Sequence, residues 1–177
     1  MRKQLLRWEA AGFLFVSATG TLLHFVYEWS GENLLAAVIS GVNESTWEHM
    51  KILFLPFFLF SVVQACAMGK SYPNILAVRA LSVLTGISLI PVFYYTYTGV
   101  WGQSVSWANI SIFFVSAFLA FMLDFRLLRR GRFSSPWQQI LGLIVLWALA
   151  FFFVWCTFRP PHIALWQDPV TGQFGIG

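Results

Sequence analysis

Charged residues are scarce in this chain of 177 residues. Only 10% of the side chains are Asp, Glu, Lys or Arg, whereas 58% are hydrophobic. A soluble domain usually carries about 25% charged residues, so this composition excludes an ordinary water-soluble protein and predicts a lipid bilayer as the main partner. The net charge of +4 does not indicate nucleic acid, because the basic residues stand in short segments beside apolar runs, as in membrane proteins.

Cysteine is equally rare, and several catalytic motifs are missing. Cys66 and Cys156 fall at opposite ends of their predicted helices, about 25 Å apart in depth at 1.5 Å per residue, whereas a disulfide needs Cα atoms within about 7 Å. We therefore expect two free thiols buried in helices. The sequence also lacks a glycine-rich phosphate loop, a nucleophile elbow and a dinucleotide fingerprint, which argues against nucleotide or serine-hydrolase chemistry.

What the sequence does contain is five long apolar runs. A helix needs about 20 residues to cross a bilayer, and each run approaches that length. We predict an all-α integral membrane bundle, with residues 1–177 forming a single transmembrane domain. The first run stays apolar where a signal peptide would turn polar, so we expect it to be retained. The predicted spans are residues 8–27, 47–68, 75–92, 107–123 and 137–158, followed by an ordered tail, 159–177.

The basic residues are unevenly placed along these spans. With the N-terminus inside, nine of the eleven Lys and Arg residues fall on the inner side, leaving Lys51 and Arg159 outside. The positive-inside rule then predicts a cytoplasmic N-terminus and an extracytoplasmic C-terminus, with all three histidines on the outer side. Asp124 and its neighbouring arginines are interpreted as a surface cluster. The middle of each span shows no ionisable residue, which argues against a transporter or proton conduit.

The most polar segment, V-N-E-S-T-W-E-H-M-K, residues 42–51, begins the second span. Ser45 followed by Glu48 three residues later is typical of a capping box, in which the Glu48 carboxylate binds the Ser45 amide. Glu44 and Glu48 are four apart and share one side of the helix, with Lys51 three residues further on. The segment predicts that a helix with a polar start begins at the extracytoplasmic surface of the membrane.

The histidines suggest a metal site there. His24 and Glu28 share one side of the first helix, and a histidine inside a bilayer usually faces a partner or a cavity. A divalent metal such as zinc would suit them, although the spacing matches no compact metal motif. One alternative is that the histidines pair with carboxylates and only hold helix ends together. Another is haem ligation by two of the histidines. The candidate metal ligands are His24, Glu28, His49 and His162, and the candidate catalytic carboxylates are Glu44 and Glu48.

The tail carries apolar side chains that need burial. Trp166 and Phe174 are unlike a disordered segment, and Asp168 followed by proline predicts a turn. We expect the tail to fold back over the outer ends of the helices, with His162 or Asp168 paired there. A tail lying flat among the lipid headgroups is the alternative.

Two strings carry a family resemblance. V-N-E-S-T-W-E-H, residues 42–49, and Q-D-P-V-T-G-Q-F-G-I, residues 167–176, resemble motifs of a family of small bacterial multi-pass membrane proteins with a domain-of-unknown-function label. The resemblance covers residues 22–177. It implies a location in the bacterial cytoplasmic (inner) membrane and supplies no substrate, cofactor or catalytic residue.

Two classes of function therefore stay in view. The favoured one is a non-enzymatic binding, sensing or accessory membrane protein that uses the polar cluster at its outer face. The alternative is a metal-assisted hydrolase acting on a lipid or a small molecule, with histidines as ligands and Glu44 or Glu48 as the base.

Overall fold

The computed structural model describes residues 2–176, and this part of the chain forms an all-α structure. Five of its helices are long and apolar enough to cross a membrane, which confirms the predicted helical class. The remaining helix is a short one that the sequence did not predict. The helices are α1 (Arg2–Trp29), α2 (Leu34–Ile39), α3 (Thr46–Met68), α4 (Ile75–Trp101), α5 (Ser106–Arg130) and α6 (Pro136–Phe158).

Several helices extend beyond the predicted spans. The third span was expected to end at residue 92, but α4 continues to Trp101 with Pro91 inside it, and α5 continues to Arg130 rather than 123. Both end at a glycine with a left-handed backbone, Gly102 and Gly131, which is a common helix stop. An apolar run marks the lipid-facing part of a helix, whereas its hydrogen bonds continue until such a stop.

The bundle is arranged around α4, which packs against α3, α5 and α6, while α1 packs against α3 and α5. Small residues allow close approach at these crossings. The closest approach to the backbone of another helix is at Gly142 of α6, where an added Cβ would lie 2.6 Å from the carbonyl oxygen of Leu76. Aromatic rings fill the core along α3, for example Phe57 stacked on Phe121 with ring centroids 4.3 Å apart.

The charged residues divide into an exposed set and a buried set. Arg79 was counted among the basic residues of the inner side and Asp124 was expected at the surface, but both are fully buried, as is Lys51. Because Arg79 and Lys51 are buried, they do not count toward the charge at either end of the bundle, which leaves nine basic residues. Of these nine, only Arg159 lies at the end of the bundle that contains His24. The other eight are exposed at the opposite end, called here the basic end: Arg2, Lys3, Arg7, Lys70, Arg126, Arg129, Arg130 and Arg132.

Both cysteines are free, as predicted, but only one is buried. Cys156 packs in the core, whereas Cys66 is exposed on α3. The prediction of burial was wrong for Cys66 because the apolar run does not reveal which face of α3 turns outward.

The tail lies against the start of α3. The Trp47 amide donates to the Leu165 carbonyl at 3.0 Å, and the Trp166 ring stacks on the Trp47 ring at 4.5 Å. The Asn43 side chain donates to the Gly175 carbonyl at 3.1 Å. These contacts bring the tail next to the polar segment that precedes α3.

Substituting Gly142 tests the closest helix crossing. We expect Gly142→Ala to lower the free energy of unfolding by about 1–3 kcal/mol, because its Cβ would collide with the α4 backbone. Thermal unfolding in detergent measures the effect. Gly99→Ala on α4 is the control, since its added Cβ has open space around it, and equal stability of the two variants would contradict the packing.

Candidate metal centre

Three side chains from three parts of the chain converge at the end of the bundle opposite the basic end. His24 comes from α1, Glu44 from the segment before α3, and His49 from the first turn of α3. The Nε2 atom of His24 lies 3.3 Å from one Glu44 oxygen, and the Nε2 atom of His49 lies 3.8 Å from the other. One potential ligand atom from each residue falls within 4.8 Å of the others. Two imidazoles and a carboxylate form a common ligand set for divalent metals.

The orientation of His49 is set by its own helix. Its Nδ1 atom lies 2.9 Å from the carbonyl oxygen of Ser45, one turn earlier. In the neutral ring Nδ1 donates to that carbonyl, so the lone pair is on Nε2 and faces Glu44. Histidines that bind metals are usually held by such a hydrogen bond on the other ring nitrogen. A lone pair facing a carboxylate oxygen is favourable only when a cation or a proton lies between them.

Glu44 is placed by a segment tied down on several sides. The Gly41 amide donates to the Leu23 carbonyl of α1 at 3.2 Å, and the Ser45 amide donates to the Asn43 side chain at 2.9 Å. Because Asn43 also binds the tail, this segment is fixed to α1, α3 and the tail together. Glu44 therefore projects between the two histidines from a constrained backbone.

The electrostatic surroundings keep Glu44 ionised. The hydrogen bond from His24, together with the positive charge that His24 and His49 can carry, lowers the pKa of the Glu44 carboxyl below its usual value, and partial burial opposes this only in part. The side chain is half exposed. A negatively charged carboxylate is thus available to a cation at neutral pH.

Glu48 is not part of this group, since it belongs to a buried ion pair. One of its oxygens lies 2.6 Å from the Lys51 ammonium and accepts from the Val42 amide at 3.1 Å. Lys51 also donates to the Ala37 carbonyl at 3.0 Å and to the Thr157 hydroxyl at 2.9 Å. The pair joins α2, α3 and α6.

The capping box is only half formed. The Glu48 amide does donate to the Ser45 hydroxyl, at 3.3 Å, as predicted. The Glu48 carboxylate does not bind the Ser45 amide, because the Asn43 side chain already accepts from that amide at 2.9 Å. Glu48 is free to turn toward Lys51 instead.

Two predicted ligands do not join the group. Glu28 is exposed near the end of α1, and the His162 ring packs on Phe174 in the tail, 4.8 Å between centroids. The structure brings together His24, His49 and Glu44, the last of which was predicted as a base rather than a ligand. Glu44 precedes the helix start, so helical spacing could not indicate its direction.

A cavity of about 580 Å³ lies beside the three residues. It is bounded by α1, α3, α5 and the tail, so it combines polar groups with apolar walls. Such mixed pockets suit ligands that have a polar and an apolar part. Besides the group itself, its lining includes Thr21, Ser104, Ser106 and Asn109 as polar residues and Phe25, Ile52, Ile110, Phe113 and Phe114 as apolar ones.

The turn between α4 and α5 shapes this cavity. The Tyr97 hydroxyl donates to the Asn109 side chain and accepts from the Val105 amide at 3.1 Å. The bonds hold Asn109, which lines the cavity, in place. Sequence periodicity does not identify this bond, because the bond joins residues across a turn.

A model of a family of unknown function (DUF6512) matches residues 1–176. The chain belongs to this family. No curated protein and no solved structure matches it. The match to DUF6512 covers the whole bundle and its tail, but the family has no assigned chemistry. A functional interpretation therefore depends on the geometry of the site.

The Glu48–Lys51 pair can be tested in this DUF6512 protein by a double-mutant cycle. We expect Lys51→Met to lower the free energy of unfolding by about 3–5 kcal/mol, because it leaves a carboxylate buried without its partner. Adding Glu48→Gln should recover part of that loss, since no unpaired charge then remains. Thermal unfolding of the two single variants and the double variant measures the coupling, and simple additivity would show that the pair does not act as a unit.

Proposed function

We propose that this protein is a membrane protein that binds a divalent metal ion such as zinc through His24, Glu44 and His49. The single observation that carries the proposal is the convergence of these ligand atoms. The imidazole of His49 is already oriented by the Ser45 carbonyl, and the carboxylate of Glu44 faces both rings. A cation between them would be stabilised by ligands that need little rearrangement.

The setting we infer is the outer face of a bacterial cytoplasmic membrane. Eight of the nine exposed basic residues lie at the opposite end of the bundle, and the positive-inside rule supports assigning that end to the cytoplasm. The bacterial location follows from the resemblance of the two sequence strings. In this orientation the metal centre and its cavity are reached from outside the cell or from the outer leaflet.

Binding or sensing fits the site better than hydrolysis. A hydrolytic zinc site of the His, His, Glu type uses a further carboxylate as the base. The group contributes one carboxylate, Glu44, and the neighbouring Glu48 is held by Lys51. If Glu44 binds the metal, it is not also free to take a proton from water.

A hydrolase remains the second candidate because of the adjacent cavity. Its volume and mixed lining would suit a lipid or a small molecule placed next to a metal-bound water. In this case Glu44 would act as the base and the two histidines would hold the ion. The two roles predict different behaviour for Glu44→Gln: a ligand role lowers zinc affinity, whereas a base role leaves affinity unchanged and abolishes hydrolysis.

Zinc binding by the purified protein tests the proposal. We expect one zinc ion per chain, and we expect His24→Ala and His49→Ala each to weaken binding by at least about tenfold, since changes even to the partners of ligands have effects of that size. Competition with a chelator in detergent measures the affinity.

His162→Ala is the matched control for these variants, because this histidine lies in the tail on Phe174. It should bind zinc like the unaltered chain. Equal losses in all three variants, or no binding by the unaltered chain, would contradict the proposed centre.

A further inference from the structure

A second polar cluster lies inside the bundle toward the basic end. Its members come from four different helices: Glu9 of α1, Gln64 of α3, Arg79 of α4 and Asp124 of α5. Glu9 is 4% exposed and the other three are fully buried. The sequence indicated only that the middle of each span has no ionisable residue, and these charged residues lie toward the ends of helices that qualify as spans.

Four acceptor oxygens of this cluster lie around a single nitrogen of Arg79. The Nη2 atom of Arg79 lies 3.3 and 3.4 Å from the two Glu9 oxygens and 3.4 Å from one Asp124 oxygen, and it also donates to the Gln64 carbonyl oxygen. Nη2 carries two hydrogens, so it cannot satisfy four oxygens. Gln64 donates to Glu9 at 2.8 Å. Neither oxygen of Asp124 has a hydrogen-bond partner within residues 2–176.

The rest of the arginine faces aromatic rings. Its central carbon lies 5.3, 5.8 and 5.5 Å from the ring centroids of Phe57, Phe60 and Phe121, a cation–π arrangement. Its Nε and Nη1 atoms have no hydrogen-bond partner among the described residues. Those donors therefore do not supply Asp124.

The formal charges do not balance either. Glu9 and Asp124 contribute two negative charges and Arg79 one positive charge. The remaining helices add no charge here, since α3 contributes Gln64 and α6 has no ionisable residue at this end. Tyr72, in the turn before α4, is buried in the neighbouring apolar cluster. A net negative charge in the interior of a membrane protein is costly.

We propose that Glu9 and Asp124 share one bound proton. The two carboxylates contact the same arginine nitrogen, so they are close neighbours, and two carboxylates in one site commonly retain a proton. The proton is taken up from the solvent, converts one carboxylate to a carboxylic acid, and supplies a donor to the other carboxylate. It also balances the charge of Arg79 against the single carboxylate that remains.

This proton site is independent of the metal centre. Glu9 and His24 are fifteen residues apart on α1, or about 22 Å along the helix. The protein thus has one cation site at each end of its first span, with a proton held toward the basic end.

Infrared spectroscopy of the protein in lipid nanodiscs tests the proposal directly. At neutral pH and without added sodium, we expect a carbonyl stretching band of a protonated carboxylic acid that shifts on exchange into D₂O. Asp124→Asn and Glu9→Gln should each remove this band, because Arg79 alone then neutralises the one carboxylate that is left.

Glu32→Gln is the control, since Glu32 is exposed in the turn after α1, and it should keep the band. If Asp124→Asn fails to fold, the spectra of the unaltered chain and of Glu9→Gln still decide. Absence of the band from the unaltered chain, or its persistence in Glu9→Gln, would overturn the proposal. Thermal stability that rises with sodium in a chain lacking the band would assign the site to that cation instead.

Discussion

The constraint on which this structure depends is the high free-energy cost of an unpaired charge inside a membrane-spanning bundle. Its buried charges meet that constraint in two ways. The charges of Glu48 and Lys51 neutralise each other. In addition, the Val42 amide donates to Glu48, and Lys51 donates to Ala37 and Thr157. The cluster around Arg79 has two carboxylates for one arginine and leaves both Asp124 oxygens without a hydrogen-bond partner among residues 2–176, whereas Glu44 and the Nε2 atom of His49 present acceptors to one another at a half-exposed position. The unbalanced sets are the ones to which we assign bound cations.

The balanced pair also supports the metal centre. Lys51 ties the end of α2 and the end of α6 to α3, and Glu48 holds the Val42 amide two residues before Glu44. With Glu48 committed to Lys51, Glu44 is the carboxylate that remains between the histidines. A change at Lys51 would therefore disturb both the stability of the bundle and the position of a candidate ligand.

The sequence was informative where composition and spacing carry the signal, and uninformative where tertiary contacts do. Long apolar runs predicted the five long helices, and the polar segment 42–51 in an apolar chain indicated the candidate site. Short α2 was missed because six apolar residues capped by Asn33 resemble a loop. Helical spacing favoured Glu28 as the partner of His24, but the partner is Glu44, which a folded-back loop supplies. Arg79 and Asp124 were interpreted as residues near the membrane surface because their partners, Glu9 for Arg79 and Arg79 for Asp124, are far away in sequence.

The central claim is that a cation binds between His24, Glu44 and His49. The most direct measurement is anomalous X-ray diffraction at the zinc edge from crystals of the full chain grown in lipid with zinc. We expect one strong peak within bonding distance of the two Nε2 atoms and a Glu44 oxygen, about 2.0–2.2 Å from each. A peak at His162 alone, or unoccupied side chains in contact with one another at saturating zinc, would contradict the claim.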